Sequence, residues 1–420
     1  MLFLFLALGV PVAFALGISG FVWLTIAFGL PVAFGYLKTT PYREAAHYGL
    51  ATLPLFLLMG YIASRSGITN SLFIAAYRWV GHLPGGLAQA TILAAAVFAA
   101  ACGSSIASAA ALSPVVLPEM EKFNYDKTLA MGTVAASGTF AIMIPPSVAL
   151  IVYATLTELS VGKLFIAGII PGILSAFLYL VSIAIRAKLN PALAPPAPSF
   201  TNRERLISLG GVWPIGIIIF IVIGGIYLGV MTPTEAGAVG ALGAIAVGLG
   251  RRQLSMDNFN KSILDSAKTA AMIFMIIIGA FIFGYYLTLA KIPQTLIAFL
   301  AGLPLVRWII LVFILILYII LGTFMDQMAI ICLTTPIIFP VIVGLGYNPI
   351  WWGIILVKTA EIGLITPPLG LNVYIIQGVT KEPLAKVFRG ILPFFLVDLF
   401  TLTLLVTFPQ ITLFLPETMG

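Results

Sequence analysis

The chain has 420 residues, of which 61% are hydrophobic and 8% charged, with a mean hydropathy of +1.14. That composition excludes the soluble pattern of one apolar face per element. The continuous apolar stretches also lack the period-two alternation of a lipid-facing barrel strand, so helices spanning a bilayer remain. The net charge of +7 reads as basic loops on the cytoplasmic side and not as a nucleic-acid footprint.

A spanning helix takes roughly 20 apolar residues, and stretches of that size run from Leu2 to Phe414, so about ten to twelve spans or half-spans are expected. The start, MLFLFLALGVPVAFALGISG, has no basic leader and runs on into more apolar sequence; it reads as retained structure rather than a cleaved signal. Arg65, Arg78 and His82 read as loop or interface residues, and GHLPGG (81–86) as a turn. In TILAAAVFAAACGSSIASAAALSPVVLPEM (91–120) the polar group Gly103, Ser104, Ser105 and Ser108 comes too soon after Thr91 for a full crossing. The pattern predicts a re-entrant hairpin over about 91–118, its tip lining a cavity or buried in protein. Close packing of small residues explains the serines equally well. EMEKFNYDK (119–127) reads as a solvated hairpin exit, and SGTFAIMIPPSVAL (137–150) then carries a proline pair, Pro145-Pro146.

The one extended polar segment, AKLNPALAPPAPSFTNRER (187–205), reads as a cytoplasmic connector between a first half, 1–186, and a second, 206–420. In the second half a hairpin is expected over about 308–340, with Gly322, Thr323 and Asp326 where the first has its serines. A carboxylate such as Asp326 in an apolar segment costs roughly 2.5–3.5 kcal/mol, so it calls for a function or a partner. TAEIGLITPPLGLN (359–372) brings a second pair, Pro367-Pro368, preceded by Glu361 and Thr366 and followed by Asn372. Glu361 fits three roles: ion ligand, proton carrier, or partner of Lys358, three residues earlier on the same helix face. The ion pair is the favoured one.

The halves are related through their prolines. At an offset of 222 residues Pro114 meets Pro336, Pro118 meets Pro340, Pro145-Pro146 meets Pro367-Pro368, and Pro171 meets Pro393; Tyr125 and Tyr347 fall on the same register. Apolar composition alone has no reason to align rare helix breakers, so an internal repeat is expected. Each proline pair frees carbonyls upstream and starts a half-helix with unsatisfied N–H groups. Freed carbonyls with Thr, Ser or Glu oxygens suit a sodium ion, and a half-helix amino end suits an anion. A proline kink satisfied by its neighbours is the alternative. Repeated, helix-broken membrane chains are the signature of secondary transporters. If the repeats are inverted, a cytoplasmic connector puts both termini outside.

Cys102 and Cys332 sit in apolar surroundings and read as reduced, buried thiols. There are two histidines, His47 and His82, and no HExxH, Cys/His metal spacing, Walker loop or Rossmann fingerprint. The expectation is a non-enzyme without nucleotide, redox or transition-metal cofactor. Trp23, Trp213, Trp351 and Trp352 are candidates for interface anchors or for contacts with another subunit.

The run GHLPGGLAQATILAAAVFAAACGSSIASAAALSPVVLPEMEKFNYD, followed by IPPSVALIVYA, LSVGKLFIAGIIPGIL, MTPTEAGAVGA and TPPLGLNVYII, resembles the large membrane (M) subunit of tripartite ATP-independent periplasmic (TRAP) transporters over essentially the whole chain. Asn124-Tyr125-Asp126 and Ser113-Pro114 depart slightly from the family's pattern. The resemblance implies an all-α polytopic protein of two inverted repeats, with scaffold and transport domains working as an elevator. It implies sodium-driven import of an organic acid, of the sialic acid or dicarboxylate class, across the bacterial inner membrane. It further implies two partners, a four-helix small membrane subunit and a periplasmic substrate-binding protein. Sodium is expected at Gly103, Ser104, Ser108, Ser137 and Thr139, and again at Gly322, Thr323, Asp326, Glu361 and Thr366. The substrate carboxylate is expected at Ser104, Ser105, Ser147, Asn372 and the half-helix ends at Pro145, Pro146, Pro367 and Pro368. Two rivals remain open: a sodium-coupled elevator carrier working on free substrate, and a gated channel, which the lack of a ring of pore charges disfavours.

Overall fold

A computed structural model of the chain describes residues 1–196, 198–301, 306–368 and 370–419; Leu369, inside the second proline break, and Gly420, the last residue of the second half, lie outside them. Among the described residues every regular element is helical. The first half contributes α1 (Leu2–Ala7), α2 (Val12–Phe28), α3 (Leu30–Ala45), α4 (Thr52–Arg65), α5 (Ile68–Val80), α6 (Gly86–Cys102), α7 (Ser105–Lys122), α8 (Lys127–Ser137), α9 (Phe140–Met143), α10 (Val148–Thr157) and α11 (Val161–Leu189). The second contributes α12 (Asn202–Leu209), α13 (Trp213–Tyr227), α14 (Pro233–Gly250), α15 (Met256–Leu289), α16 (Ile292–Ala301), α17 (Arg307–Phe324), α18 (Gln327–Gly344), α19 (Pro349–Leu364), α20 (Leu371–Thr380), α21 (Leu384–Thr407) and α22 (Gln410–Glu417).

Seven described helices are long and apolar enough to cross a membrane, or nine if two bent pairs each count as one span. The ten to twelve spans or half-spans expected from apolar length also include pieces that helix breakers leave too short to cross alone. α2 and α6 are two such shorter apolar helices.

Local chemistry explains the breaks. Gly103 ends α6 at φ +64°, a conformation that costs a residue without a side chain little. Ser104 then caps α7, accepting from Ala107 N. In the second half Met325 ends α17, and the Asp326 carboxylate caps α18 by accepting from Met328 N and Ala329 N. Both hairpins are closed at the base by a tyrosine. Leu87 N donates to Tyr125 Oη at 3.1 Å, and the Tyr347 ring packs edge-on against Trp308 at 5.8 Å. The two hairpin segments are formed by α6–α7 and α17–α18.

The helices starting at Ser105 and Gln327 have the same length, 18 residues, and are displaced by 222 residues at both ends. Asp126 and Asn348 cap α8 and α19 in the same register, and both proline pairs carry a cis bond. The halves differ where α3 and the segment ending in α4 meet at 50°, while the second half has the single 34-residue α15.

The innermost elements are α8–α10 and α19, which is buried from Trp351 to Leu364. Glycine pairs let backbones touch there. A methyl at Gly132 would lie 2.1 Å from the Gly390 carbonyl oxygen, and one at Gly322 would lie 2.7 Å from the Gly363 Cα. Trp351 and Trp352 are fully buried in this layer, Trp351 donating to the Leu405 carbonyl at 2.9 Å. They are core residues and not interface anchors; Trp23 and Trp213 are exposed.

The connector fixes one side of the molecule. Asp126 N donates to Leu193 O at 2.9 Å, Trp79 Nε1 to Arg205 O at 3.2 Å, and Arg251 to Gly211 O at 2.7 Å. The base of the first hairpin, the end of α5 and the end of α14 thus share the connector's side.

Candidate functional site

Ser105, Glu361 and Asn372 come together although 256 and 267 residues separate the bonded pairs. Ser105 opens α7 just after the first hairpin tip, Glu361 sits near the end of α19, and Asn372 opens α20 after the second proline break. Ser105 Oγ donates to Glu361 Oε1 at 2.9 Å and accepts from Asn372 Nδ2 at 2.7 Å. All three are buried. Gly138, in the first break, holds its place beside them, since a methyl there would stand 2.9 Å from Ser105 O and 3.3 Å from Asn372 Nδ2.

Three oxygens at or near this cluster are buried without a hydrogen-bond partner: Glu361 Oε2, Asn372 Oδ1 and, one turn along α7, Ser108 Oγ. A bare carboxylate oxygen away from water is costly unless a cation or a donor meets it. An all-oxygen set of this kind suits a hard cation.

Beside the cluster lies a cavity of about 320 Å³ into which both hairpin tips project; Gly103, Ser104, Ser105, Asp326 and Gln327 supply its polar edge. Gln327 Nε2 is buried there without an acceptor. A second crevice, also of about 320 Å³, shares Ser104 and Thr269 with the first and contains Arg65. Arg65 ends α4 on the connector's side and donates to Asp265 at 2.5 Å; its place is the crevice wall, not a loop.

Gly103 abuts the first break, where a methyl would sit 3.1 Å from Pro146 O. Ser147 caps α10 through Leu150 N. Ser137, Thr139, Thr323 and Thr366 each donate to a carbonyl of their own chain three or four residues back, which leaves their oxygens' lone pairs for a further partner. Gly322 touches α19 through its backbone, and a methyl added there would also stand 2.9 Å from Ala360 O. Pro367 and Pro368 line neither cavity. The Glu361 side chain goes to the first hairpin's Ser105, not to the Asp326 group with which the sequence reading places it.

Lys358 is not the partner of Glu361. Its Nζ donates to Asp398 Oδ1 at 2.5 Å, and Tyr179 Oη donates to Asp398 Oδ2 at 2.7 Å. Asp398 is fully buried and Lys358 nearly so. Two donors converge on Asp398, whereas Glu361 is taken by Ser105, so the charge pair forms across helices and not along α19. Asp398, in PFFLVDLF (393–400), carries the same signal that singled out Asp326, a lone carboxylate in an apolar run.

The match to known proteins spans this whole architecture. The family model for the tripartite ATP-independent periplasmic transporter, DctM component, matches residues 1–411. The C4-dicarboxylate TRAP transporter large permease protein DctM of Pseudomonas aeruginosa is 39% identical over 408 residues, covering 97% of this chain and 94% of that protein. The sialic acid TRAP transporter large permease protein SiaM of Vibrio cholerae is 31% identical over 419 residues, covering 95% and 98%. Among solved structures, the YdaH transporter of Alcanivorax borkumensis superposes with a TM-score of 0.64 over 90% of each chain at 14% identity, a likeness of fold alone. With the family's model and its large permeases matched from end to end, the chain belongs to the DctM component family of tripartite ATP-independent periplasmic transporters and is a large membrane subunit of that kind.

Proposed function

We propose that this subunit takes up an organic acid by coupling it to sodium, in an elevator-type cycle. The observation that carries the reading is the buried Ser105–Glu361–Asn372 cluster with the unpartnered Glu361 Oε2, set against a cavity where both hairpin tips meet. Sodium bound at Glu361, Asn372 and Ser108 would tie the first hairpin to both α19 and α20. That ties ion binding to order at the hairpin tips. Asp326 and the freed carbonyls around Gly322, Thr323 and Thr366 are the place for a second ion, and Ser137 and Thr139 offer oxygens at the first break. The substrate carboxylate is read into the cavity, met by Ser104, Gln327 Nε2 and the amino ends of α7, α10 and α18.

Dicarboxylates and sialic acid are the substrates named for the two relatives, and both present the carboxylate this cavity would hold. The elevator part of the reading draws on the paired hairpins and on element bounds repeating at 222 residues, which support two repeats, 1–186 and 206–420; their inversion is taken by analogy with other helix-broken transporters. Basic residues concentrate on the connector's side, among them Arg78, Arg205, Arg251 and Lys261, which supports a cytoplasmic connector in a bacterial inner membrane and periplasmic termini. The partners of the reading are a small membrane subunit and a periplasmic binding protein.

The test is uptake of radiolabelled organic acids into proteoliposomes holding this chain with its small subunit, with and without binding protein, under an inward sodium gradient. Uptake requiring both sodium and binding protein is expected. Uptake indifferent to the binding protein would favour a free-substrate carrier, single-channel steps would favour a channel, and indifference to sodium would remove the ion from the cluster.

A further inference from the structure

The Lys358–Asp398–Tyr179 network lies one helical turn from the Glu361 cluster. Lys358 and Glu361 are three residues apart on α19, a spacing that places side chains within reach on one face. A lysine ammonium there is a tethered cation able to occupy the place of a bound one. It is held away. Asp398, on α21, takes Lys358 Nζ at 2.5 Å, and Tyr179, on α11, fixes the other carboxylate oxygen at 2.7 Å. Meanwhile Glu361 Oε2 has no protein partner.

We infer that Asp398 is a positioning residue for sodium binding: by holding Lys358, with Tyr179 fixing the Asp398 carboxylate, it keeps the chain's own ammonium off Glu361 and so leaves that carboxylate open to sodium. The inference rests on the sodium reading of the Glu361 cluster. Its physical basis is that a buried ion pair contributes little net stability, while removing one member leaves the other charge seeking a partner. Without the Asp398 charge, Glu361 is the carboxylate that helical spacing offers Lys358 on its own face of α19. An internal lysine then competes with the ion at an effective concentration no external salt reaches.

The experiment is thermal melting of the purified full chain with its small subunit, titrated with sodium chloride against choline chloride at constant ionic strength. Alongside it, sodium-dependent uptake is measured in proteoliposomes. Wild type is expected to be stabilised by sodium and Glu361→Gln to lose that response. Asp398→Asn is expected to weaken the sodium response by about 10–100-fold, the range seen when outer-shell partners of metal ligands are removed. Lys358→Met, and the double variant Asp398→Asn with Lys358→Met, are expected to respond as wild type does, because no tethered cation is left to compete. A merely structural pair predicts the opposite order, with the double variant no better in sodium affinity than Asp398→Asn.

A wild-type sodium response in Asp398→Asn would overturn the inference, as would a folded double variant that binds sodium as poorly as that single variant. If Asp398→Asn does not fold, the other two variants decide, since weakened sodium binding in folded Lys358→Met and double variants would also overturn it. A wild type indifferent to sodium, or a Glu361→Gln that still responds, would sink the sodium reading and this inference with it. Correct behaviour of those two with a normal Asp398→Asn would sink the inference alone.

Discussion

Asp326 combines two roles that substitutions can separate. Its carboxylate caps α18 through two backbone N–H groups, at 2.8 and 3.3 Å from Met328 and Ala329, and the residue lines the cavity between the hairpin tips. Asparagine caps a helix about as well as aspartate, while alanine costs about 1 kcal/mol. Asp326→Asn is therefore expected to keep the wild-type melting temperature and lose sodium-dependent uptake, and Asp326→Ala to lose both uptake and about 1 kcal/mol of stability. Unchanged uptake in Asp326→Asn would confine the residue to capping. Ser104 holds the equivalent cap in the first half with a neutral hydroxyl, so the two tips share geometry but not charge. At this scale the sequence singled out Ser105, Glu361 and Asn372, yet not their contacts with one another. Glu361 and Ser105 are far apart along the chain, and no periodicity relates a hairpin tip to a helix 256 residues later. Lys358 illustrates the converse, since helical spacing offered a partner that the fold replaced with Asp398.

The helices meet through glycines where the hairpins touch the core. A methyl at Gly322 would overlap the Gly363 Cα region at 2.7 Å, and backbone on both sides leaves nothing flexible to yield. Gly322→Ala is expected to destabilise by about 1–3 kcal/mol, the cost of overpacking a close contact, measured as a lower melting temperature in detergent with uptake reduced in step. Outside the spans, Glu382 joins α20 to α21. Hydrogen bonds from Lys127 and then Lys386 hold its carboxyl below the usual glutamate range. A carboxyl depressed in the folded state contributes stability that is present above its unfolded value and lost as pH falls through its folded value. Melting temperature is thus expected to drop as pH falls below about 4, and Glu382→Gln to flatten that part of the profile. The helix breaks at Gly103 and at the proline pairs were legible at the element scale because Pro and Gly act through local backbone chemistry. The bend between α3 and α4 falls at the polar stretch EAAHYG (44–49), whereas α15 runs unbroken through its own polar start, MDNFNKSILDSAK; residue type alone did not separate the two.

For the whole molecule, the connector and the ends of α5, α7 and α14 form one basic face, on which the proposed orientation depends. Arg203→Cys, in the connector's side of α12, is expected to react with a membrane-impermeant maleimide in inside-out vesicles and not in right-side-out ones. The two native thiols are buried and leave a clean background. Labelling from the opposite face would invert the orientation. The indoles offer a different readout. Trp351 and Trp352 are sealed within two positions of each other on α19, the helix that also carries Lys358 and Glu361, whereas Trp23, Trp79, Trp213 and Trp308 are exposed by 38%, 42%, 60% and 40%. Brominated lipids would darken the outer set and spare the inner pair, so the emission that survives is an unlabelled optical gauge of the helix that carries Glu361.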